Sequence, residues 1–364
     1  MLIDDSPNNP YVEQPQKAFW RPSICNRQND ILMELWTPKW PINRRTPIAT
    51  AGSCFAQHIS KALIIRGFNW INGEIGPPGM TSCSLKKYNY GVFSFRTGNI
   101  YSVALLKQWL LWALEIANPP GEVWENGGKY YDPFRPEIEP DGFSSFEELI
   151  ASRNQTLYAI KKTLESTRLF IFTLGLTESW INVEHGYVYP SCPGTHHGIY
   201  SPRLHKFKNF TFNEIRKDLL SVMGLLKTIN QRIRILLTVS PVPLVATASQ
   251  NHVLVATLHS KSVLRAIAGE LANQRHDLDY FPSYELIASH PFKGEYYEDN
   301  MRTVTSEGVQ WVMSHFFHAL QDNNFKVEIT DSQLIPSKLT KITQEDILCE
   351  EELLAQFENL SVKS

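Results

Sequence analysis

The chain has 364 residues, of which 43% are hydrophobic, and its 35 lysines and arginines nearly balance 37 aspartates and glutamates. This composition supports a large core in one or two domains and excludes the strongly basic surface of a nucleic-acid-binding protein. Because no apolar run approaches the roughly 20 residues that span a bilayer, we expect a cytoplasmic protein with no membrane span.

The first predicted elements surround the stretch TAGSCFAQHIS, residues 50–60. An apolar run precedes it, and Phe55, Ile59 and Leu63 follow at helical spacing. Gly52 lies between the two patterns and predicts a sharp turn. The sequence therefore indicates a strand, a glycine turn and the start of a helix.

Three further apolar stretches are predicted strands: RLFIFTL, which ends at Leu174, RIRILLTV, which ends at Val239, and LDYFPSYEL around Tyr280. Helical patterns separate them, which is typical of βαβ units and a parallel sheet. The stretch WINVEHGYVYPSCPG alternates and turns like an inserted β-hairpin. We therefore predict an α/β fold, a three-layer α/β/α sandwich with a mostly parallel sheet and a small inserted hairpin.

Three helices have clear boundaries in the sequence. The first begins at FSSFEELI, where Ser144 and Glu147 have the spacing of a capping box. The second covers NHVLVATLHSKSVLRAIAGELA, and the third covers EGVQWVMSHFFHALQ.

The chain divides into three predicted segments. Residues 1–45 are polar and proline-rich, and we expect them to be extended; residues 46–325 form the α/β domain. Residues 326–364 form an extension in which EDILCEEELLAQFENL predicts an amphipathic helix. This helix would dock on the body or on a second copy, so a homo-oligomer is one expectation.

The residues that follow each predicted strand are candidate site residues, because ligands of open parallel sheets bind beyond the carboxyl ends of the strands. They are Gly52-Ser53-Cys54, Gly175-Leu176-Thr177-Glu178, Ser240-Pro241-Val242-Pro243, and the loop that holds Ser289, His290 and YYEDNMRTVT.

These blocks resemble the GSCFA family, which is related to the SGNH (GDSL-like) hydrolases and acyltransferases. The name motif is Gly52-Ser53-Cys54-Phe55-Ala56, and further matching blocks are RTGNIYS, DPFRPEIEPDGF, TLGLTESW, HKFKNF, SPVPLVATAS, SKSVLR and DYFPSYEL. Together they cover most of the chain between about residues 50 and 312. The resemblance implies an SGNH-like, flavodoxin-like sandwich.

The resemblance also implies a nucleophile at the first strand end. SGNH enzymes carry their serine third in a Gly-Asp-Ser turn, and the third position here is Cys54. The helix N-terminus that follows lowers the pKa of a thiol, so a thiolate there is a competent acyl acceptor. Two alternatives remain: Ser53 is the nucleophile, or the pair only caps the helix.

The oxyanion donors of the SGNH family are a lone glycine and a Gly-x-Asn-Asp block. Gly98 and Asn99 match the former, and Gly175, Thr177 and Glu178 match the latter. A threonine hydroxyl at the asparagine position still donates a hydrogen bond. Glu178 would orient a base or bind a substrate hydroxyl, or this pair would only fasten the hairpin.

The catalytic base is the point of departure from the family. SGNH hydrolases carry an Asp-x-x-His pair in the last loop, and the matching spacing here is Asp299 to Arg302, without a histidine. His205 and His290 are the candidate bases, with His58 behind them. Arg302 cannot accept a proton but would clamp an anionic group of a substrate.

The resulting hypothesis is an acyltransferase or esterase that acts on an O-acyl group of a carbohydrate or small molecule. No permanently bound cofactor is expected, and acyl-CoA is a candidate donor. The alternative is a non-catalytic module that binds glycans or acylated ligands. A metal enzyme is disfavoured, because no His-Glu-x-x-His spacing occurs and the five cysteines form no Cys-x-x-Cys pair, which also argues against a disulfide framework.

Overall fold

The computed structural model of the chain describes residues 9–25, 31–32, 34–320 and 354–355. Of the predicted extension at 326–364, all but residues 354–355 lies outside the described part of the chain. The helix and the oligomer contact expected there therefore stay predictions.

The central sheet has four parallel strands, which are β1 (Ile48–Gly52), β4 (Leu169–Leu174), β8 (Arg234–Val239) and β9 (Leu278–Tyr280). They lie side by side in the order β1-β4-β8-β9. All four predicted strands are therefore present. A crossover separates each strand from the next, which confirms the predicted α/β class with a mostly parallel sheet.

Helices cover both faces of this sheet. Along β4, Phe170 and Phe172 face one apolar core, and Leu169 and Ile171 face the other, because successive side chains point to opposite faces. The helices are α1 (Phe55–Ile65), α2 (Ser82–Lys87), α3 (Val103–Ala113), α4 (Phe146–Ser166), α5 (Phe212–Ile229), α6 (Val253–Gln274), α7 (Ser283–Ala288) and α8 (Ser306–Ala319). No helix in the described ranges has both the length and the apolar composition to cross a membrane.

Two small antiparallel sheets are added to this frame. The predicted hairpin forms β5 (Glu178–Asn182) and β6 (Val188–Tyr189), and β7 (His205–Asn209) pairs with the other side of β5. β2 (Trp124–Asn126) and β3 (Lys129–Tyr131) form a separate hairpin. The third strand of the first sheet was not predicted from the sequence.

Two predicted boundaries are wrong. The stretch LDYFPSYEL is a strand only to Tyr280, because Pro282 has no N–H to continue the ladder and α7 begins at the next residue. Helix α4 is capped by Ser145, whose hydroxyl accepts from the Glu148 N–H at 3.1 Å, one residue later than predicted for Ser144 and Glu147.

A buried ion cluster ties α4 to the segment before it. Asp132 accepts hydrogen bonds from Arg135 Nε and from Arg153 Nη2, both at 2.9 Å. All three side chains are buried, and Asp132 is the one carboxylate among the described residues that either arginine hydrogen-bonds. The cluster fixes the 132–135 turn against the middle of α4.

Trp36 joins the amino-terminal segment to the last part of the sheet. Its indole N–H donates to Asp279 at 3.2 Å, and its ring stacks on Phe316 and meets the edge of Phe281 at centroid distances of 5.5 and 5.1 Å. The segment before β1 therefore supplies part of the core between β9 and α8.

Candidate active site

The turn after β1 is pressed against β4. Gly52 has φ +138°, and a Cβ there would lie 2.5 Å from the Thr173 carbonyl oxygen. The next residue, Ser53, donates its backbone N–H to that same carbonyl at 3.2 Å. Glycine is required because only it allows this backbone angle and this close approach.

Ser53 and Cys54 are both buried at this turn, with 2% and 5% of their surfaces exposed. Cys54 occupies the N-cap position of α1, but its side chain makes no capping hydrogen bond. Among the described residues, the Ser53 hydroxyl has no hydrogen-bond partner at all. The capping interpretation of this pair is therefore wrong, and the buried Ser53 hydroxyl needs another explanation.

The predicted Gly98–Asn99 block lies directly beside this turn. The Ile100 N–H donates to the Gly52 carbonyl at 2.8 Å, and Gln57 Nε2 on α1 donates to Asn99 Oδ1 at 3.2 Å. Gly98 has φ +68°, which favours glycine at this position. The structure therefore brings the first predicted oxyanion block to the nucleophile turn.

The turn after β4 packs on the other side of Ser53. A Cβ on Gly175 would lie 3.0 Å from Ser53 Cβ. The N–H groups of Gly175 and Leu176 donate to the Tyr101 carbonyl at 3.1 and 2.9 Å. Gly175 therefore provides space beside Ser53, while its N–H is engaged by Tyr101.

Thr177 and Glu178 follow the β4 turn in the chain, and Glu178 is the first residue of β5. The Thr177 hydroxyl is fully buried and has no partner among the described residues, so it is free to donate a hydrogen bond. Glu178 is 7% exposed and accepts from the Thr247 hydroxyl at 2.8 Å. Burial raises the pKa of this carboxyl, and the Thr247 hydrogen bond opposes that effect only in part.

Helix α6 supports the β4 turn from behind through two adjacent residues of the SKSVLR block. The Ser260 hydroxyl accepts from the Thr177 N–H at 3.0 Å, and Lys261 Nζ donates to the Gly175 carbonyl at 2.8 Å. Lys261 is only 1% exposed. The inward position of this lysine was not predicted, because an amphipathic pattern does not show which polar side chains face inward.

His205 is not placed at this edge. It begins β7 opposite Asn182, whereas Glu178 begins β5, so four residues or roughly 13 Å of strand separate His205 from Glu178. His205 Nδ1 accepts from the Ser201 N–H at 3.1 Å, and burial lowers the pKa of the ring.

The other candidate histidines have different surroundings. His290 is exposed, and its ring stacks on Trp20 at 5.3 Å. His58 lies buried on α1, where burial, with a smaller contribution from Lys61, lowers its pKa to about 3. In the described chain no imidazole hydrogen-bonds the Ser53 hydroxyl.

The loop that holds Asp299 and Arg302 reaches the carboxyl edge from the β8 side. Arg302 Nε donates to the Pro243 carbonyl at 3.2 Å, and the Tyr297 hydroxyl donates to the Pro241 carbonyl at 2.8 Å. Asp299 is exposed. Arg302 therefore borders the same loop that supplies Thr247 to Glu178.

The motifs predicted a relationship to the GSCFA family, and comparison with protein families tests it. Residues 47–316 match the model of the GSCFA family. The chain belongs to the GSCFA family. No curated protein sequence matches this GSCFA chain.

Solved structures similar to the GSCFA chain have low sequence identity. A carbohydrate esterase of family 3 from Talaromyces cellulolyticus is 9% identical, with a TM-score of 0.35 over 76% of this chain and 99% of that chain. An acetyl esterase variant with acetate ion is 10% identical, with a TM-score of 0.34 over 76% of this chain and 99% of that chain. The periplasmic domain of a lipopolysaccharide acetyltransferase from Salmonella ser. Paratyphi A is 11% identical, with a TM-score of 0.31 over 76% of this chain and 83% of that chain. Nothing about activity follows from similarity this weak.

The GSCFA site thus contains the nucleophile turn, the Gly98–Asn99 block and the β4 turn in mutual contact. Gln57, Tyr101 and Ser260 hold these three pieces together and were not predicted as site residues. Tyr101 and Ser260 lie within the matching blocks RTGNIYS and SKSVLR, and Gln57 directly follows the name motif, and these positions were the available signal. Within the described ranges, no group of three or more histidine, cysteine, aspartate or glutamate side chains is arranged to hold a metal ion.

Proposed function

We propose that this GSCFA protein is an acyl-transfer enzyme, an esterase or acyltransferase, with the Cys54 thiol as its nucleophile. The observation that carries the proposal is the buried Ser53-Cys54 pair at the start of α1, where neither side chain caps the helix. The positive end of the helix dipole stabilises a thiolate at Cys54. The SGNH resemblance supports the same position.

The proposed reaction has two steps. The Cys54 thiolate attacks the carbonyl carbon of an acyl donor, a carbon–sulfur bond forms, the bond from that carbon to the leaving group breaks, and the leaving group departs as an anion such as a thiolate. Asn99 and the unpartnered Thr177 hydroxyl are the candidate oxyanion donors. An acceptor hydroxyl or water then attacks the acyl carbon, Glu178 takes the acceptor's proton, and the Cys54 thiolate is released.

The substrate class is part of the proposal. The donor is an activated acyl group such as an acyl thioester, because a thiolate exchanges readily with thioesters. The acceptor is a hydroxyl of a carbohydrate or small molecule, or water. Arg302 at the rim would bind an anionic part of the donor.

Trapping the acyl-enzyme tests the proposal. The protein is mixed with acetyl-CoA or an activated acetate ester, and intact mass and peptide mapping locate any adduct. We expect a hydroxylamine-sensitive acetyl group on Cys54 that Cys54→Ala abolishes and Ser53→Ala retains. A background with Cys25→Ala and Cys83→Ala removes two exposed thiols that acetylate without catalysis. An adduct on Ser53 that persists in Cys54→Ala would contradict the thiol mechanism.

A binding module is the second candidate function. It is favoured by the Ser53 hydroxyl, which forms no hydrogen bond with a histidine in the described part of the chain, and by the positions of His205 on β7 and of His290 against Trp20. Without a base the site would hold a glycan or an acylated ligand without turnover. Absence of any adduct, together with saturable binding of an O-acetylated glycan, would support this candidate against the enzyme.

Replacing Glu178 by glutamine tests its role as a base. We expect wild-type turnover to rise with pH through the folded pKa of Glu178, which burial raises above its ordinary value of 4.5, because only the carboxylate accepts a proton. Glu178→Gln removes this rise with pH and lowers turnover by about a hundredfold, the low end for general acid–base catalysis. Glu184→Gln, exposed on the same hairpin, is the control and keeps the wild-type profile. An unchanged rise with pH in Glu178→Gln would assign the proton transfer elsewhere.

A further inference from the structure

The amino ends of the central strands border a cavity that the proposed acyl transfer does not use. Its volume is about 620 Å³, and its walls come from residues 39–42, from the starts of β4 and β8, and from the segment before β9. The candidate nucleophile lies at the opposite, carboxyl ends. Because β8 has six residues, roughly 20 Å separates the two edges.

The walls of this cavity are strongly cationic, and some of the positive side chains are already bound to other groups of the protein. Asp277, the only acid among its described lining residues, is paired with Lys227 at 3.2 Å and with Arg275 at 3.0 Å. Lys227 also donates to the Ile233 carbonyl at 2.7 Å, and Lys39 donates to two backbone carbonyls at 2.8 Å. Lys227 is therefore paired with Asp277, and Lys39 is hydrogen-bonded to the backbone.

Three arginines of the wall have no carboxylate partner among the described residues. They are Arg168, Arg232 and Arg234. The Arg234 N–H donates to the Arg168 carbonyl at 2.9 Å, so these two arginines lie at the amino ends of neighbouring strands, Arg168 directly before β4 and Arg234 at the start of β8. An anion bound in the cavity would be attracted by these positive charges.

Trp40 adds an unpartnered donor to the same wall. It is 5% exposed, and its indole N–H has no hydrogen-bond partner among the described residues. The Arg234 guanidinium lies 5.4 Å from its ring centroid, which keeps the arginine over the wall of the cavity. A hydrogen-bond acceptor on a molecule in the cavity would supply the partner that this buried donor lacks.

We propose that this cavity binds a small molecule that carries a diphosphate group. The planar forks of arginine match phosphate oxygens, and guanidiniums on two neighbouring strands span more than one phosphate. The volume lies within the roughly 300–1,000 Å³ typical of small-ligand sites. The proposal is independent of the acyl-transfer function.

Calorimetric titration of the full chain with inorganic pyrophosphate, ADP and inorganic phosphate tests this site. We expect pyrophosphate and ADP to bind at least about tenfold more tightly than phosphate, because each added charge-assisted contact contributes to affinity. ADP binding more tightly than pyrophosphate would identify a nucleotide, and equal affinities would identify the diphosphate alone as the recognised group. No measurable binding, or phosphate binding as tightly as pyrophosphate, would overturn the proposal.

Arginine variants locate the binding. Arg232 and Arg234 are exposed, and Arg232→Gln and Arg234→Gln are each expected to weaken the binding of pyrophosphate about tenfold. Arg203→Gln, an exposed arginine before β7, is the matched control and leaves affinity unchanged. Thermal unfolding without ligand verifies that each variant is folded. Folded variants with wild-type affinity would place the diphosphate outside this cavity and overturn the proposal.

Discussion

Replacing Asp132 by asparagine is expected to lower the free energy of unfolding by about 3–5 kcal/mol, because it removes the charged group that two buried guanidiniums hydrogen-bond. Arg135 and Arg153 both bond this carboxylate at 2.9 Å, and all three side chains are shielded from solvent. Asparagine has nearly the same shape, so the loss reports charge rather than a cavity. Urea denaturation at neutral pH measures it.

The same residue predicts a pH dependence with a definite sign. Burial alone would raise the pKa of Asp132, but Arg153 and Arg135 outweigh it and hold the pKa below its ordinary value of 3.8. The carboxylate therefore stabilises the fold fully above that value, and the contribution is lost as pH falls through the lower folded pKa. The difference between wild type and Asp132→Asn should shrink in that acid range.

Asp141→Asn is the matched control for this prediction. Asp141 also forms an ion pair, with Lys87 at 2.6 Å, but both side chains are largely exposed. Surface pairs contribute little to stability, so the urea midpoint should stay at the wild-type value. Equal losses in Asp132→Asn and Asp141→Asn would show that burial of the cluster does not determine its contribution.

Replacing Gly52 by alanine is expected to destabilise the protein by about 4 kcal/mol. The new methyl would lie 2.5 Å from the Thr173 carbonyl oxygen and 2.7 Å from the Thr173 nitrogen, and φ at this position is +138°. Backbone strain and overpacking each cost roughly 2 kcal/mol, and neither neighbour is a flexible side chain. Thermal or urea unfolding measures the loss.

Gly224→Ala provides the control for the glycine substitution. Gly224 is exposed in α5, and a Cβ there meets no heavy atom within 4 Å. Alanine in a helix interior stabilises by up to about 1 kcal/mol relative to glycine. The two substitutions should therefore shift stability in opposite directions, and a neutral Gly52→Ala would mean that β1 and β4 can separate at this point.

The central strands were predictable from sequence because they are buried on both faces. Phe170, Ile171 and Phe172 form a continuous apolar run, and such a run needs no knowledge of the partner strand. The end of β9 was harder, because Tyr280 and Phe281 are apolar on both sides of the true boundary and only Pro282 marks it.

The nucleophile turn was predictable for a related reason. Gly52, Ser53 and Cys54 follow a strand directly, so their position at the carboxyl edge follows from the fold class. The position of His205 does not follow, because its strand β7 was not predicted and a sequence pattern does not show which end of a strand approaches the site. The inward direction of Lys261 depends on tertiary packing in the same way.

The contact of Trp36 with Asp279 joins positions 243 residues apart in the chain. During synthesis the tryptophan emerges from the ribosome long before β9 and α8, the elements that cover it. The core around Trp36 cannot form until nearly the whole domain has been made, and until then the apolar ring of Trp36 is exposed to solvent or chaperones. The protein therefore completes its fold late, with an early part of the chain packing against one of the last.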